Sequence, residues 1–390
     1  MIRHLCKLVW NRKRANALIA LQIFISFLLV FTTASLAMDK AGNYWRPLGF
    51  SYEDRWVVTF HPDRVSGRVG GEKPPASRRE IYLALEGFDW IESVSSADYL
   101  ALPYKLGLQV PFTVDGRLVS IGSVSDQFHQ TLGLDLVSGR WFGEEDAALD
   151  WEPIVITQPL SEALFDDEDP IGQKIEEWEG SNERIIGVVS DYRRLGEFTD
   201  PGFFVFTRQS AEENRGNFLV KVRPGTPLAA QEQIDKRLKA MAPGYEVKIT
   251  TLADSRASLF KLTLVPLFAL GVVSVLVLGM VALSLSGVLW QRTTLRTEEI
   301  GLRRALGGSA ASIYAQLTGE IVAVASVGVI AGLLLVLQFP LLELLNYTSG
   351  IYALSLAFAA LVIYGLVIVC SLYPGRLACQ VRPVEALHHE

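Results

Sequence analysis

The residues whose types and spacing best fit a chemical role are two acids and two bases, about one helical turn apart. Glu298 and Glu299 come first, near the positive end of a helix dipole, and Arg303 and Arg304 follow near its negative end. Glu299 and Arg303 are also four residues apart, in the order that favours an ion pair on a helix. The chemistry of this segment is therefore ionic contact, made either within an ordinary loop helix or with a docking partner.

The sequence lacks the patterns that mark catalysis or cofactor binding. It has no Gly-Lys dipeptide, so it cannot contain a phosphate-binding loop of the Walker A type. Its five histidines form no His-Glu-x-x-His pattern, and there is no Gly-x-Ser-x-Gly nucleophile elbow and no Cys-x-x-Cys pair. We therefore expect no catalytic residue, no metal ligand and no cofactor on this chain, and we classify it as a non-enzyme.

Four apolar segments must position the charged segment. The longest, 262–290, carries no charge and would reach roughly 43 Å as a helix, more than the ~30 Å hydrocarbon core of a bilayer. We predict four transmembrane helices, at 15–38, 262–290, 313–340 and 351–373. The charged segment then lies in the loop 291–312, between the second and third spans.

Basic residues near the span ends indicate the orientation, because Lys and Arg there are retained in the cytoplasm. Five bases and no acid lie in 1–14, and four arginines lie in 291–312. We therefore predict that these two segments and the tail 374–390 are cytoplasmic, with 39–261 and the short loop 341–350 on the outside. Segment 39–261 holds 25 basic and 36 acidic residues, a net charge of −11, which argues against binding to nucleic acid.

The first span has an alternative interpretation as a cleaved signal peptide, because Ser35-Leu36-Ala37 carries the small residues that signal peptidase favours. Its 24 apolar residues are, however, longer than the roughly 7–15 of a signal peptide's apolar region. We therefore expect a membrane anchor, and the mass of the mature N-terminus would distinguish the two.

The outer segment 39–261 is predicted to be an α+β domain with two parts. Strand–helix–strand units at about 55–99 and 218–250 indicate a split ferredoxin-like subdomain, with the first strand ending before His61-Pro62. Short strands dominate between them, at about 110–206, and predict an inserted β-rich subdomain. The fold class is therefore an α-helical membrane protein of four transmembrane helices with an α+β extracytoplasmic domain.

One ionisable residue, Glu320, falls within the third predicted span. Intramembrane charges usually serve function, but a carboxylate within a turn or two of the interface reaches water or an arginine easily. Structural pairing, a direct part in transport and a contact to a cytoplasmic partner are the three roles that the sequence leaves open, and we favour structural pairing.

The charged segment and several outer motifs resemble one known family. The run from Arg296 to Gly307, Arg-Thr-Glu-Glu-Ile-Gly-Leu-Arg-Arg-Ala-Leu-Gly, is followed by a span with Glu320 near its start. This pattern resembles the C-terminal domain of the MacB/FtsX-type permeases of ABC transporters. The segments 132–142, Asp169–Gly172 and Ile186–Asp191 are similar to the MacB-like periplasmic domain of that family.

This resemblance implies a permease subunit of the bacterial inner membrane, paired with an identical or paralogous permease and moved by a separate cytoplasmic ABC ATPase that binds the ATP. Mechanotransmission to the periplasmic domains would then export, or act on, a hydrophobic or amphipathic substrate. Membrane lipid and a periplasmic adaptor are further partners that it allows. An FtsX-like, non-transporting regulator that switches a periplasmic hydrolase is the alternative. The contact to the ATPase would be made by Glu298, Glu299, Ile300, Gly301, Arg303 and Arg304.

Overall fold

The computed structural model divides into two compact units, Met1–Ala41 with Leu264–Glu390, and Gly42–Thr263. We call them the helical unit and the α+β unit. The structure describes residues 13–62, 76–107, 112–114, 116–166, 168–175, 182–209, 217–295, 302, 309–341 and 348–380.

In chain order the elements are α1 (Lys13–Tyr44), β1 (Arg55–Pro62), α2 (Arg78–Glu86), β2 (Ile91–Ser96), β3 (Phe112–Val114), β4 (Arg117–Val124), α3 (Phe128–Leu132), β5 (Leu136–Gly139), a 3₁₀ helix (Glu144–Ala148), β6 (Glu152–Thr157), α4 (Gln158–Phe165), β7 (Glu183–Val189), β8 (Phe204–Arg208), β9 (Asn217–Val222), α5 (Ala230–Met241), β10 (Tyr245–Thr251), α6 (Leu252–Leu295), α7 (Ala310–Val336), α8 (Gln338–Leu341) and α9 (Ser349–Gln380).

Among the described residues, four helices, α1, α6, α7 and α9, are long and apolar enough to cross a membrane, which agrees with the number of predicted spans. In the helical unit α1 packs closely on α7, because glycines on α7 leave room for it. A Cβ at Gly328 would lie 2.6 Å from the carbonyl oxygen of Ala20, so only glycine permits this approach. Buried Phe27 and Phe31 of α1 lie in the same core cluster.

Helix α6 begins at Leu252, well before the uncharged stretch that starts at Leu262. Its first turn is capped by a reciprocal pair. The Thr251 hydroxyl donates to Asp254 Oδ2 at 2.7 Å and accepts from the Asp254 N–H at 2.9 Å. The 44 residues of this helix correspond to roughly 66 Å of length.

The α+β unit contains a four-stranded antiparallel sheet in the order β10-β1-β9-β2. Helices α2 and α5 pack on one face of it, where Ile81, Leu85 and Ile234 join Trp56 and Phe218 in a buried cluster. The chain enters this sheet as β1-α2-β2 and returns to it as β9-α5-β10.

Strands β3 to β8 lie between these two passes and form a six-stranded mixed sheet in the order β3-β4-β8-β6-β7-β5. Val57 and Leu219 point from the second face of the four-stranded sheet into a core shared with Phe128, Phe204 and Phe206 of this insertion. Alternating residues of β1 and β9 thus serve two cores, which binds the two sheets into one unit.

Strand β1 extends to Pro62, so the expected end before His61-Pro62 was wrong. The ladder with β9 stops at Thr59, paired with Asn217, whereas the ladder with β10 continues to Pro62, paired with Tyr245. A proline is compatible with this position because the described ladder between β1 and β9 has already ended at Thr59.

Two glycines from the motif-bearing segments let β5 and β7 approach closely. A Cβ at Gly187 would overlap the carbonyl oxygen of Arg140, and a Cβ at Gly139 would overlap that of Ile186. Gly139 also adopts a φ of +71°, a region that disfavours other residues. These motif glycines therefore have a packing role in the insertion.

Candidate functional site

The predicted ATPase contact, Glu298, Glu299, Ile300, Gly301, Arg303 and Arg304, lies outside the described residues. The structure describes the elements on either side of it. Helix α6 ends at Leu295, and α7 begins after Ser309, whose side chain accepts a hydrogen bond from the Ser312 N–H at 3.2 Å. Both flanking helices are candidate membrane spans.

Glu320 is buried near the start of the span on α7 and takes part in an interaction with its surroundings. Two residues earlier on α7, Thr318 Oγ1 donates to Ser371 Oγ of α9 at 3.4 Å. Structural pairing, a direct part in transport and a contact to a cytoplasmic partner therefore all stay predictions for this buried residue.

Sequence reasoning missed a loop of the α+β unit that contacts both the end of α1 and the start of α6. We call residues 191–201 the clamp loop. Its Asp200 accepts a hydrogen bond from Asn43 at 3.0 Å, and its Phe198 ring stacks on Tyr44 with centroids 5.9 Å apart. On the other side, Phe198 lies 4.6 Å from the Phe260 ring of α6. The clamp loop therefore joins the two helix ends within one unit.

An ion pair between Glu197 and Arg256 strengthens the contact between the clamp loop and α6. The Arg256 guanidinium also lies over the rings of Tyr52, at 4.6 Å, and Phe260, at 5.0 Å. Burial alone would lower the pKa of Arg256, but the hydrogen bond and charge of Glu197 outweigh burial and raise the pKa. Arg256 is thus held on three sides in its charged form.

Arg193 fixes the shape of the clamp loop from inside. It is fully buried, and its guanidinium donates to the carbonyl oxygens of Thr199 at 3.0 Å, Arg46 at 2.9 Å and Glu197 at 2.5 Å. Its own N–H donates to the Leu48 carbonyl at 3.1 Å. Burial lowers the pKa of Arg193, and these carbonyl acceptors replace the water it has lost. The loop is therefore bound to the segment that follows α1.

The residues beside Arg193 anchor the clamp loop in the domain core. The Tyr192 hydroxyl donates to the Ala101 carbonyl, and its ring packs at 4.9 Å from Phe204. Arg194 donates to the Lys105 carbonyl at 2.6 Å, and the Tyr104 N–H donates back to the Arg194 carbonyl at 2.7 Å. A displacement of α6 at Arg256 would consequently be transmitted through the clamp loop to the domain core.

The contacts of this site position the clamp loop against the end of α1 and the start of α6. Within the described ranges, no group of three or more His, Cys, Asp or Glu could hold a metal ion. One sequence signal points to the clamp loop, the pair Arg193-Arg194 that follows the buried strand β7. Long basic side chains in such a position need nearby hydrogen-bond acceptors.

Comparison with known proteins gives two family matches. A family described as MacB-like periplasmic core domain matches residues 18–237, more than half of the chain. A second, described as FtsX-like permease C-terminal, matches residues 271–383. Together these ranges include most of α1, most of the α+β unit, the greater part of α6, and α7 to α9.

Two curated relatives are named for macrolide export. The macrolide export ATP-binding/permease protein MacB 2 of Aeromonas hydrophila subsp. hydrophila is 26% identical over 335 residues, covering 78% of this chain and 51% of that protein. The MacB protein of Vibrio parahaemolyticus is 26% identical over 339 residues, covering 83% of this chain and 49% of that protein. The chain thus spans about half the length of the curated relatives it matches.

Among solved structures, the periplasmic region of MacB from Actinobacillus actinomycetemcomitans is 17% identical, with a TM-score of 0.37, and covers 53% of this chain and 92% of that one. The extracellular domain of the transporter YknZ from Gram-positive bacteria is 15% identical, with a TM-score of 0.35, and covers 50% of this chain and 99% of that one. On the sequence matches, the chain belongs to the MacB/FtsX-type ABC transporter permease family, with a MacB-like periplasmic core domain and an FtsX-like C-terminal permease region.

Proposed function

We propose that this chain is the permease subunit of a MacB-like ABC transporter, moved by a separate cytoplasmic ABC ATPase that binds and hydrolyses the ATP. The observation that carries the proposal is the continuous helix α6. It begins at Leu252 in the α+β unit and ends at Leu295, directly before the charged segment. Pro266 removes one hydrogen bond from the interior of α6, and the helix is continuous on both sides of it. In the proposed mechanism a push at one end of α6 therefore displaces the other.

In this mechanism the ATPase contacts Glu298, Glu299, Ile300, Gly301, Arg303 and Arg304, and the resulting movement travels along α6. The clamp loop receives it through the ion pair of Glu197 with Arg256 and the packing of Phe198 on Phe260. Because Arg193 and Tyr192 tie the same loop to the domain core, the first turns of α6 and the α+β unit move together.

We further propose that the chain lies in the bacterial inner membrane with both of its ends cytoplasmic and the α+β unit in the periplasm. The basic residues in 1–14 and 291–312 support this orientation. Two copies, or this chain and a paralogue, would form the working unit, with lipid around the spans and a periplasmic adaptor beyond the domains.

The proposed cargo is a hydrophobic or amphipathic molecule that the periplasmic domains act on or export. Two observations support this class. The curated relatives are named for macrolide export. The predicted spans contain a single charged residue, Glu320, and so offer little to a polar substrate in transit. Mechanical work on the outer face therefore fits the chain better than conduction through its spans.

We also interpret the four-stranded part of the α+β unit as a split ferredoxin-like subdomain. Its elements follow as β-α-β twice, and its strand order by position is fourth, first, third, second. The six-stranded sheet is inserted between the two halves, and the clamp loop follows its strand β7.

The proposal is tested by purifying the full chain from its native host and measuring the ATPase recovered with it. Charge reversal by Glu298→Lys with Glu299→Lys, or by Arg303→Glu with Arg304→Glu, should remove the ATPase and its ATP hydrolysis. The matched control reverses an exposed pair on α5, Glu232→Lys with Lys236→Glu, and should change neither. Recovery of no ATPase with the unaltered chain, or equal recovery with the reversed one, would refute the assignment.

A further inference from the structure

A cleft of about 390 Å³ opens on the α+β unit between the segment 99–106, strand β10 and the first turns of α6. Two lysines line it, Lys105 from the segment and Lys248 from β10. Lys105 Nζ donates to Thr250 Oγ1 of β10 at 3.4 Å. Lys105 therefore lies beside β10, the strand that carries Lys248.

The two lysines lack a carboxylate partner among the described residues. Among the described residues, neither Lys105 nor Lys248 lies within 4.0 Å of a carboxylate oxygen. Burial lowers the pKa of Lys105, and the charge of Lys248 lowers it further, so the two ammonium groups repel each other. One acid, Asp254, lines the cleft, and its carboxylate accepts the Thr251 hydroxyl at the start of α6. An anion near both lysines would relieve the repulsion.

The rest of the cleft changes from polar to apolar along one face of α6. Ser255, Ser258, Leu259 and Leu262 all line the cleft, and their spacing places them on a single helix face. Leu262 is 57% exposed and is the first residue of the stretch without charge, from which α6 continues as a candidate membrane span. A ligand that fills this cleft therefore needs an anionic head and an apolar tail that extends along α6 toward its span.

We propose that this cleft binds the phosphate headgroup of an anionic membrane phospholipid through Lys105 and Lys248, with an acyl chain along Leu259 and Leu262. Among anionic amphiphiles, a membrane lipid fits best because the apolar face is continuous with the span of α6. The inference goes beyond the proposed transport function, since binding of lipid requires neither the ATPase nor ATP.

Occupancy of the cleft would also affect the clamp loop. Tyr104, which lines the cleft, packs against Gly196 of the clamp loop so closely that a Cβ at Gly196 would lie 2.9 Å from the Tyr104 ring. A lipid held by Lys105 would restrain this segment, because the carbonyl of Lys105 is already bonded to Arg194 at 2.6 Å. The lipid would thus stabilise the loop that receives the movement of α6.

The experiment titrates the full chain in a neutral detergent with phosphatidylglycerol, and with phosphatidylcholine of the same acyl chains, and counts bound lipid by native mass spectrometry. Replacing Lys105→Gln with Lys248→Gln should weaken phosphatidylglycerol binding about 30-fold, equivalent to about 2 kcal/mol at 1.4 kcal/mol per factor of ten. Two lysines near an anionic lipid contribute about that much. Phosphatidylcholine binding should not change.

Two further variants separate charge loss from misfolding. Lys105→Arg with Lys248→Arg keeps the charges and should retain binding, whereas Lys236→Gln with Lys239→Gln removes two lysines on α5 and should leave binding unchanged. Leu259→Gln with Leu262→Gln should weaken lipid binding without affecting inorganic phosphate. Equal binding of phosphatidylglycerol by the unaltered and the Lys105→Gln/Lys248→Gln chains would overturn the proposal. So would binding of inorganic phosphate as tight as that of the lipid, which would indicate a site for a soluble anion.

Discussion

Neutralising Glu197 should loosen the clamp loop, and the size of the effect follows from burial of the ion pair. The Glu197 side chain is 7% exposed and that of Arg256 is 28% exposed. A hydrogen bond to a charged group contributes about 1.5–3 kcal/mol, and partial exposure of Arg256 moves the value away from the upper end. Glu197→Gln removes the charge but keeps the shape, and Arg256 retains its contacts with Tyr52 and Phe260. We therefore expect a loss of about 2 kcal/mol in the local stability of the loop.

Hydrogen exchange of backbone amides measures this local stability directly. The Gly196 N–H donates to the Arg193 carbonyl at 2.8 Å, and the Arg193 N–H donates to the Leu48 carbonyl at 3.1 Å. Both amides should exchange about 30-fold faster in the Glu197→Gln chain, because 1.4 kcal/mol corresponds to a factor of ten.

The matched control is Glu92→Gln, which neutralises an ion pair with Lys221 at 2.8 Å whose side chains are 35% and 36% exposed. Exposed pairs contribute little, so exchange in the clamp loop should change by less than about threefold. If Glu197→Gln accelerated exchange no more than Glu92→Gln, the clamp loop would not depend on this ion pair and its role in coupling α6 would be wrong.

Three other changes test the packing and the electrostatics. The Arg140 guanidinium donates two hydrogen bonds to the buried Asp146 carboxylate, at 2.5 and 2.7 Å, and these bonds lower the pKa of Asp146. The stability that the ionised carboxylate contributes is therefore present above pH about 4 and is lost as the pH falls further. Asp146→Asn should therefore lower the free energy of unfolding by about 1–2 kcal/mol at pH 7, and its difference from the unaltered chain should shrink below pH 4 in denaturant titrations. Gly187→Ala should destabilise the α+β unit by about 1–3 kcal/mol, since its Cβ would overlap the Arg140 carbonyl, whereas Gly42→Ala, with open space around it, should not. Gly328→Ala should lower the thermal unfolding temperature of the full chain in detergent by forcing α1 from α7, whereas Gly365→Ala should not.

The membrane spans and the α+β class could be predicted because each depends on a pattern local to the sequence. An uninterrupted run such as Leu262–Trp290 indicates a helix in lipid without reference to any other segment. The start of α6 at Leu252 was not visible in this way, because its first ten residues mix serine, charge and leucine as a surface helix does. Only the Thr251–Asp254 cap marks where the helix begins.

The clamp loop could not be predicted because its role depends on contacts between residues far apart in the chain. Arg193 bonds to the carbonyl of Arg46, and Asp200 bonds to Asn43, across about 150 residues of intervening sequence. After Asp191, which ends a segment similar to the MacB-like periplasmic domain, the loop has no apolar period, so the sequence indicates only a polar loop. Its two arginines are informative once burial is known, since a buried guanidinium must find several acceptors.

The predicted ATPase contact stays a prediction, since Glu298 to Arg304 apart from Leu302 lie outside the described residues. The prediction rests on the order of acidic and basic residues along a helix. The surface that these residues would contact belongs to another chain.

In the proposed mechanism, movement of α6 reaches the α+β unit through the clamp loop. Hydrogen exchange of the amides of 193–199, in the full chain with its ATPase in lipid nanodiscs, tests it most directly when ATP and vanadate are added. We expect exchange in this loop to change on trapping the ATPase, and the change to disappear with Arg303→Glu and Arg304→Glu. An unchanged clamp loop in a complex whose ATPase is bound and active would contradict the account.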